Sequence, residues 1–414
     1  MSNRLPYDLR NEILVRLPVK SLLRFQCVCK SWKSFFSSPR FVFTHTQYSE
    51  RTDNYAHLLH WQIVRDGVRQ YQVHHIDGSF MINEFQNLEY PYKIRGREYS
   101  SVLECKGLIL FTTTMIKDEI DDHGHGFEPL ILWNPAIRMS ITLPRPCIDV
   151  PAGSCRVHGF GFDHKSNDYK VVRIVYERYS DCSPKVEQYK LRTGVWETVR
   201  VAGDFKYIIY THTQAFVNEA IHWFGNHKRD WTSSCPEFVI VLFHMCNEEF
   251  QVMKFPDRLI SSLKKNSADI GVYGGLLSLM EYNEQENVDF SCNIWLMKEY
   301  GVAESWTKQF TIDLKGEHIG PMFSFRNNEK ILWGRLEKLV LYDPKTHKFI
   351  NLGTEAKGFL FAKNTFVESL VLLNEVNAIP IGSVQELFKE MPVMQLKERK
   401  RKGRRAKKKA KYGK

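Results

Sequence analysis

Apolar residues recur along the first 36 positions at a helical interval. Leu9, Ile13 and Leu17 lie four apart, a spacing that stacks them on one helix face, and Pro6 ahead of them has the fixed φ that suits a first helical turn. Pro18 restarts the chain. Leu22, Phe25, Cys29 and Trp32 then trace a second stripe at i, i+3, i+7 and i+10, broken near Lys30, until Ser37, Ser38 and Pro39 stop it. A helical unit of about 45 residues has little interior and is marginal alone. The pattern therefore predicts helices that dock on a partner surface.

Further along, the period becomes strand-like. One kind of paired run, ending in an aromatic residue or His before a turn, occurs at 72–85, 131–143, 186–199, 239–255, 293–312 and 339–352. A second kind, entering a Gly, Asn or Lys turn, alternates with it at 102–111, 159–175, 215–224, 272–280, 323–333 and 366–373. Taking Trp133, Tyr189, Phe243, Trp295 and Tyr342 as equivalent gives steps of 56, 54, 52 and 47 residues, the range of four-stranded propeller blades with loop insertions. The expected fold is mainly β with a small α domain: a three-helix N-terminal unit, a six-bladed β-propeller-like body and a disordered basic tail. A closed ring removes exposed sheet edges, so 366–373 is expected beside 72–85. The run Leu58 to Val64 finds no place in this scheme.

The chain has 414 residues, 43% hydrophobic and 13% aromatic, enough for more than one domain. Boundaries are expected at 1–45 for the helices, 55–375 for the propeller, 376–396 for a short helical extension and 397–414 for the tail. In the extension, Ser383 and Glu386 form a capping box ahead of Val384, Leu387, Phe388 and Met391 at helical spacing. Of nine cysteines only Cys27 and Cys29 are close in sequence, which is neither a disulfide framework nor a zinc pattern. With no apolar leader segment and no run of about 18 apolar residues, a soluble protein of a reducing compartment is expected.

The net charge of +11 is a property of the tail. Residues 397–414 hold twelve Lys and Arg and one Glu, leaving 46 basic and 46 acidic residues before them. A nucleic-acid-binding fold usually carries its basic footprint on the domain, so nucleic acid is an expected partner only through the tail. Lys397, Arg399, Lys400, Arg401, Lys402, Arg404, Arg405, Lys407, Lys408 and Lys409 suit the acidic grooves of a nuclear import receptor, which makes the nucleus the expected location, with the cytoplasm as a second.

The N-terminal pattern also carries a resemblance. Leu5-Pro6, Glu12-Ile13-Leu14, Leu17-Pro18, Lys20-Ser21-Leu22, Arg24-Phe25 and Val28-Cys29-Lys30-Ser31-Trp32 follow the order and spacing of an F-box. The chain resembles plant F-box proteins with an F-box-associated domain. The likeness continues in Gly107-Leu108-Ile109-Leu110, Leu132-Trp133-Asn134-Pro135, Gly159 to Asp163 with Asp168 to Val172, Ala220-Ile221-His222-Trp223 and Phe366 to Leu370. It implies a non-catalytic receptor of a Skp-cullin ubiquitin ligase. Its F-box would dock on a Skp-family adaptor, and through it a cullin scaffold, while the body holds an unknown protein substrate for degradation. By resemblance, Leu5, Pro6, Leu9, Ile13, Leu14, Leu17, Pro18 and Leu22 match the docking positions, and Trp32 holds the helices together. The family pattern does not include the tail. A nuclear nucleic-acid or chromatin binder that uses the tail is the alternative.

Candidate chemistry is sparse. Asp118, Glu119, Asp121, Asp122, His123 and His125 form a dense group in a Gly-rich loop, without a second ligand set at metal spacing. No nucleophile elbow, P-loop or dinucleotide fingerprint is present, and neither a cofactor nor a resident metal is expected. Connections at 112–129, 176–185, 225–237 and 281–292 are long, while 334–338 is short. In an up-and-down blade such second-to-third connections share one face, which makes that face the expected substrate surface. Tyr176, Arg178 and Tyr179 in one loop and His227, Lys228, Arg229 and Trp231 in another are its candidate contacts.

Overall fold

A computed structural model describes residues 6–52, 56–63, 69–76, 82–88, 101–112, 129–150, 154–177, 183–201, 205–209, 213–227, 237–263, 267–283, 291–314, 323–324, 331–335, 338–355, 360–373 and 378–380. The expected tail and the Ser383 helix lie outside these residues, as do Leu5, Arg178, Tyr179, Arg229, Trp231 and the acidic group at 118–125.

The N-terminal unit has four helices: α1 (Tyr7–Leu14), α2 (Val19–Gln26), α3 (Lys30–Phe36) and α4 (Pro39–Thr52). Pro6 and Pro18 stand just ahead of α1 and α2 in extended conformation. The second stripe divides where Cys29, fully extended, opens α3. Pro39 was expected to stop the helical pattern and instead begins the longest helix. The Ser38 hydroxyl accepts the Phe41 N–H at 3.3 Å and Pro39 takes the first helical position, the pairing of cap and proline that starts helices.

The rest of the described chain forms antiparallel sheets. The first contains β1 (Ala56–Ile63), β2 (Arg69–Ile76) and β3 (Ile82–Leu88). The second contains β4 (Ser101–Cys105), β5 (Leu108–Thr112), β6 (Leu130–Asn134) and β7 (Met139–Thr142), and the third β8 (Cys155–Asp163), β9 (Asp168–Tyr176), β10 (Lys185–Lys190) and β11 (Val195–Val199). The fourth holds β12 (Tyr207–Ile209), β13 (Ala215–Val217), β14 (Ala220–His227), β15 (Phe238–His244) and β16 (Glu249–Lys254), followed by α5 (Asp257–Leu263). The fifth is β17 (Ser267–Tyr273), β18 (Leu276–Asn283), β19 (Ser291–Met297) and β20 (Trp306–Asp313); the sixth is β21 (Phe323–Ser324), β22 (Ile331–Arg335), β23 (Lys338–Asp343) and β24 (Lys348–Glu355). β25 (Leu360–Val367) returns to the first sheet beside β1, and β26 (Ile379–Pro380) joins the second at the outer edge of β7.

The arrangement is mainly β and propeller-like. Four sheets have the four strands expected of a blade, and two have five. In one, β12 and β13 pair with opposite ends of β14; in the other, β26 is an added edge strand. The innermost strands touch in a cycle: β4 meets β8, β8 meets β14, β13 and β14 meet β17, β17 meets β21, β21 meets β25 and β25 meets β4.

The two hairpin kinds differ in most of their turns, the four-residue β8–β9 turn ending in Asn167 being an exception among first-to-second hairpins. Lys106-Gly107, Asn218-Glu219 and Gly274-Gly275 all have positive φ and join their strands through two residues, the left-handed turn whose twist matches paired strands. Four of the third-to-fourth hairpins use four residues and end in Arg138, Gly194, Glu248 and His347, again at positive φ. Trp133, Tyr189, Phe243 and Tyr342 each stand one place before the end of a third strand. Tyr189, Phe243 and Tyr342 also face aromatic partners across the hairpin, Trp196, Phe250 and Phe349, with ring centres 4.9 to 5.5 Å apart.

The expected closing hairpin at 366–373 is corrected. Only Phe366 and Val367 belong to a strand, and β25 pairs with β1, so that Ala56 faces Val367 and Gln62 faces Leu360. Leu58 to Ile63 of the unplaced run thus lie in β1, the second strand of the closing sheet, while Val64 lies outside the described residues. Residues 368–373 turn away beneath the helices.

Candidate functional site: the helical unit and its seat

Each side of the helical unit has a different task. Inward, Leu14, Val15, Val19, Leu22, Phe36 and Phe41 share one buried core with Leu108, Leu110, Leu132, Phe160 and Phe162 of the sheets and with Leu370 after β25. Trp32 lies edge-on between Phe25 and Phe36, with ring centres 5.3 and 5.6 Å away, and so ties α2 to α3. Outward, Leu9 and Ile13 remain 50% and 52% exposed, and Val28 67%. Only six large apolar side chains are exposed among the described residues, and these are three of them.

The division changes the list of docking positions. Leu22 is completely buried and Leu14 nearly so, because the stripe that could face a partner faces the chain's own sheets. Neither can meet an adaptor while the unit is folded. Leu17 and Pro18 are half-buried, and Pro6, Leu9 and Ile13 are exposed. The available surface is the α1 face together with the Leu17-Pro18 corner.

The seat beneath is built from the motifs quoted above. Lys106, held at positive φ, places its ammonium 2.5 Å from Glu50 of α4 and over the Phe162 ring, which stacks on Phe43. The Tyr169 hydroxyl donates to the Lys106 carbonyl at 2.9 Å; burial pushes that phenol well above its usual pKa, so it stays a neutral donor. Asn134 donates through Nδ2 to the Ser369 carbonyl (3.0 Å), the Ser369 hydroxyl (3.0 Å) and the Val371 carbonyl (2.8 Å). Gly107 fits because a Cβ there would stand 2.7 Å from Ser369 and from the Val367 carbonyl. Glu368 accepts the Val19 N–H at 2.8 Å.

The remaining motifs join sheet to sheet. Lys170, almost fully buried, meets Asp163 at 2.8 Å, Glu248 at 2.9 Å and the Met245 carbonyl at 2.8 Å. Burial pushes the Asp163 carboxyl upward, and the hydrogen bonds from Lys170 and Ser166 together with the Lys170 charge outweigh it and hold the pKa below its ordinary value. Buried Glu187 accepts the Cys147 and Ile148 N–H groups at 2.8 and 3.1 Å and pairs with Arg173, pinning the connection between the second and third sheets. His222 lies between the Ala215 carbonyl and the Tyr300 hydroxyl, and the Trp223 indole donates to His158. These residues hold the body together.

Strand alternation relates the helices to the long connections. The seat uses the β4–β5 turn and the β8 residues Phe160 and Phe162, so the second strands, ending at Thr112, Tyr176, His227 and Asn283, run away from it. Of their candidate contacts, Tyr176 is corrected: it ends the buried strand β9 and packs with Val157, Ile174, Ile208 and Ile209. His227 ends β14 half-buried, with the Tyr207 ring edge-on at 5.5 Å.

A propeller-like body carrying a sealed helical unit with a bare apolar outer face is the class of architecture. Comparison specifies it. A family described as the F-box associated beta propeller domain matches residues 63–368, and the F-box domain matches residues 2–44. The chain belongs to the F-box proteins with an F-box associated β-propeller. It is 27% identical over 394 residues to F-box protein CPR1 of Arabidopsis thaliana, covering 89% of each chain. An F-box/kelch-repeat protein of the same plant is 28% identical over 338 residues, covering 78% of this chain and 83% of its own. Among solved structures, an oligogalacturonate lyase of Vibrio parahaemolyticus overlaps 72% of this chain and 85% of its own at 10% identity, with a TM-score of 0.36, a likeness that carries no functional argument.

Proposed function

We propose that this protein is the substrate-recognition subunit of a Skp-cullin-F-box ubiquitin ligase, binding a Skp-family adaptor through α1 and the Leu17-Pro18 corner and a target protein through the opposite face of the body. The carrying observation is the bare pair Leu9 and Ile13, four residues apart on a helix whose other side is sealed. Fully burying such a side chain contributes about 1.5–3 kcal/mol, enough for two of them to dominate a small helical interface. The cycle of six sheets supports reading the body as one closed six-bladed ring, and the long connections on its far face as the place for a degradation target. The basic residues from Lys397 onward are assigned to nuclear import, since they hold all of the excess charge.

The test is adaptor capture. Leu9→Glu with Ile13→Glu should abolish co-purification with a Skp adaptor at an unchanged melting temperature, since surface substitutions change stability by about 0.5 kcal/mol or less. Undiminished capture by that variant overturns the assignment.

A further inference from the structure

The helix α2 is capped from the far end of the chain. A residue preceding a helix ordinarily offers a side-chain oxygen to the first free N–H groups, but Pro18 stands in that place and no side chain near α2 takes the role. The Val19 N–H is met instead by the Glu368 carboxylate at 2.8 Å, from 349 residues later. A negative group there also complements the positive end of the helix dipole.

The position of Glu368 gives this contact a second meaning. It is the first residue after β25, the strand whose pairing with β1 completes the first sheet and which touches the inner strands of both neighbouring sheets. The next residue, Ser369, is fastened by Asn134 and abuts Gly107. Paired β25 thus sets where Glu368 stands relative to Val19. Leu17, one corner of the exposed apolar surface, is held from the other side by the buried His45, whose Nε2 donates to the Leu17 carbonyl at 3.0 Å.

We propose that Glu368 is a positioning residue that couples closure of the ring to the adaptor-binding surface. When β25 is paired, its end supplies the carboxylate that orders the first turn of α2 and with it the Leu17-Pro18 corner. When β25 leaves, the cap goes with it, so a ring opened by damage or by a tightly held target presents a weakened F-box. The functional part of this rests on reading the α1 face as adaptor-binding.

The experiment uses the full-length chain. Glu368→Ala should accelerate amide exchange at Val19 to Leu22 and raise the dissociation constant for a Skp adaptor about fivefold, the ordinary weight of a helix cap. Exchange in β1 and β25 should stay as it was. Glu368→Gln, which keeps an acceptor without charge, should fall between, and it carries the same comparison if the Ala variant does not fold. Unchanged exchange in α2, or acceleration spread equally over β1 and β25, overturns the coupling. If the unaltered chain captures no adaptor, the adaptor reading falls, and α2 exchange still decides the cap.

Discussion

Burial makes single imidazoles sensitive to acid. His222 is fully enclosed, and loss of water contact lowers its pKa from 6.5 to about 4. Below pH 6.5 the unfolded chain binds a proton that the folded chain refuses, so stability is full above that value and declines as pH falls toward 4, by about 3 kcal/mol in all. His45 is lowered by the same cause and adds to the decline. Denaturant titrations of His222→Gln should show a flatter loss of stability between pH 6.5 and 4 than the parent; an equal slope contradicts the assignment. At this scale the sequence was legible where period alone decides. Leu9 and Ile13 share a face because they lie four apart. That Leu22 turns inward was not legible, since an apolar stripe has the same composition whether it meets a partner or its own chain. Tyr176 misled similarly: an aromatic residue beside a loop marks the end of a buried strand as well as a binding contact.

Among the elements, turns were the most legible and proline the least. Gly107 and Gly274-Gly275 announce tight hairpins because glycine accepts positive φ without strain. Gly107→Ala would combine that strain with a clash against Ser369 and the Val367 carbonyl, and chemical denaturation should show a loss of about 3 kcal/mol. Lys170→Met, by leaving Asp163 enclosed without its partner, should cost about 3–5 kcal/mol, whereas replacing exposed Lys345 should leave the midpoint in place. Serine before proline can end one helix or start the next, and α4 was hidden in that ambiguity. β1 stayed unplaced because its partner β25 lies at the other end of the body, beyond any local pattern.

For the whole molecule, the proposed adaptor and target surfaces lie on opposite sides: the α1 face on that of the tight turns, and the strand ends that lead into the long connections on the other. Shared core and the Glu50–Lys106 pair fix the F-box to the body, so a target and an adaptor would be held at a set separation. The basic residues from Lys397 onward are proposed for a separate task. A fluorescent fusion ending at Leu396 should lose nuclear enrichment, and an unchanged nuclear fraction would end the tail's assigned role.

The partnership of β1 with β25 also sets a clock. Roughly 300 residues lie between the end of one and the start of the other, and at ~5–20 residues per second a ribosome takes ~15–60 s to make them. Throughout that interval β1 has an open row of N–H and C=O groups, a template for pairing with a neighbouring chain. The yield of soluble protein therefore depends on what shields that edge during the wait, and chains halted before Leu360 are the ones expected to aggregate or be cleared.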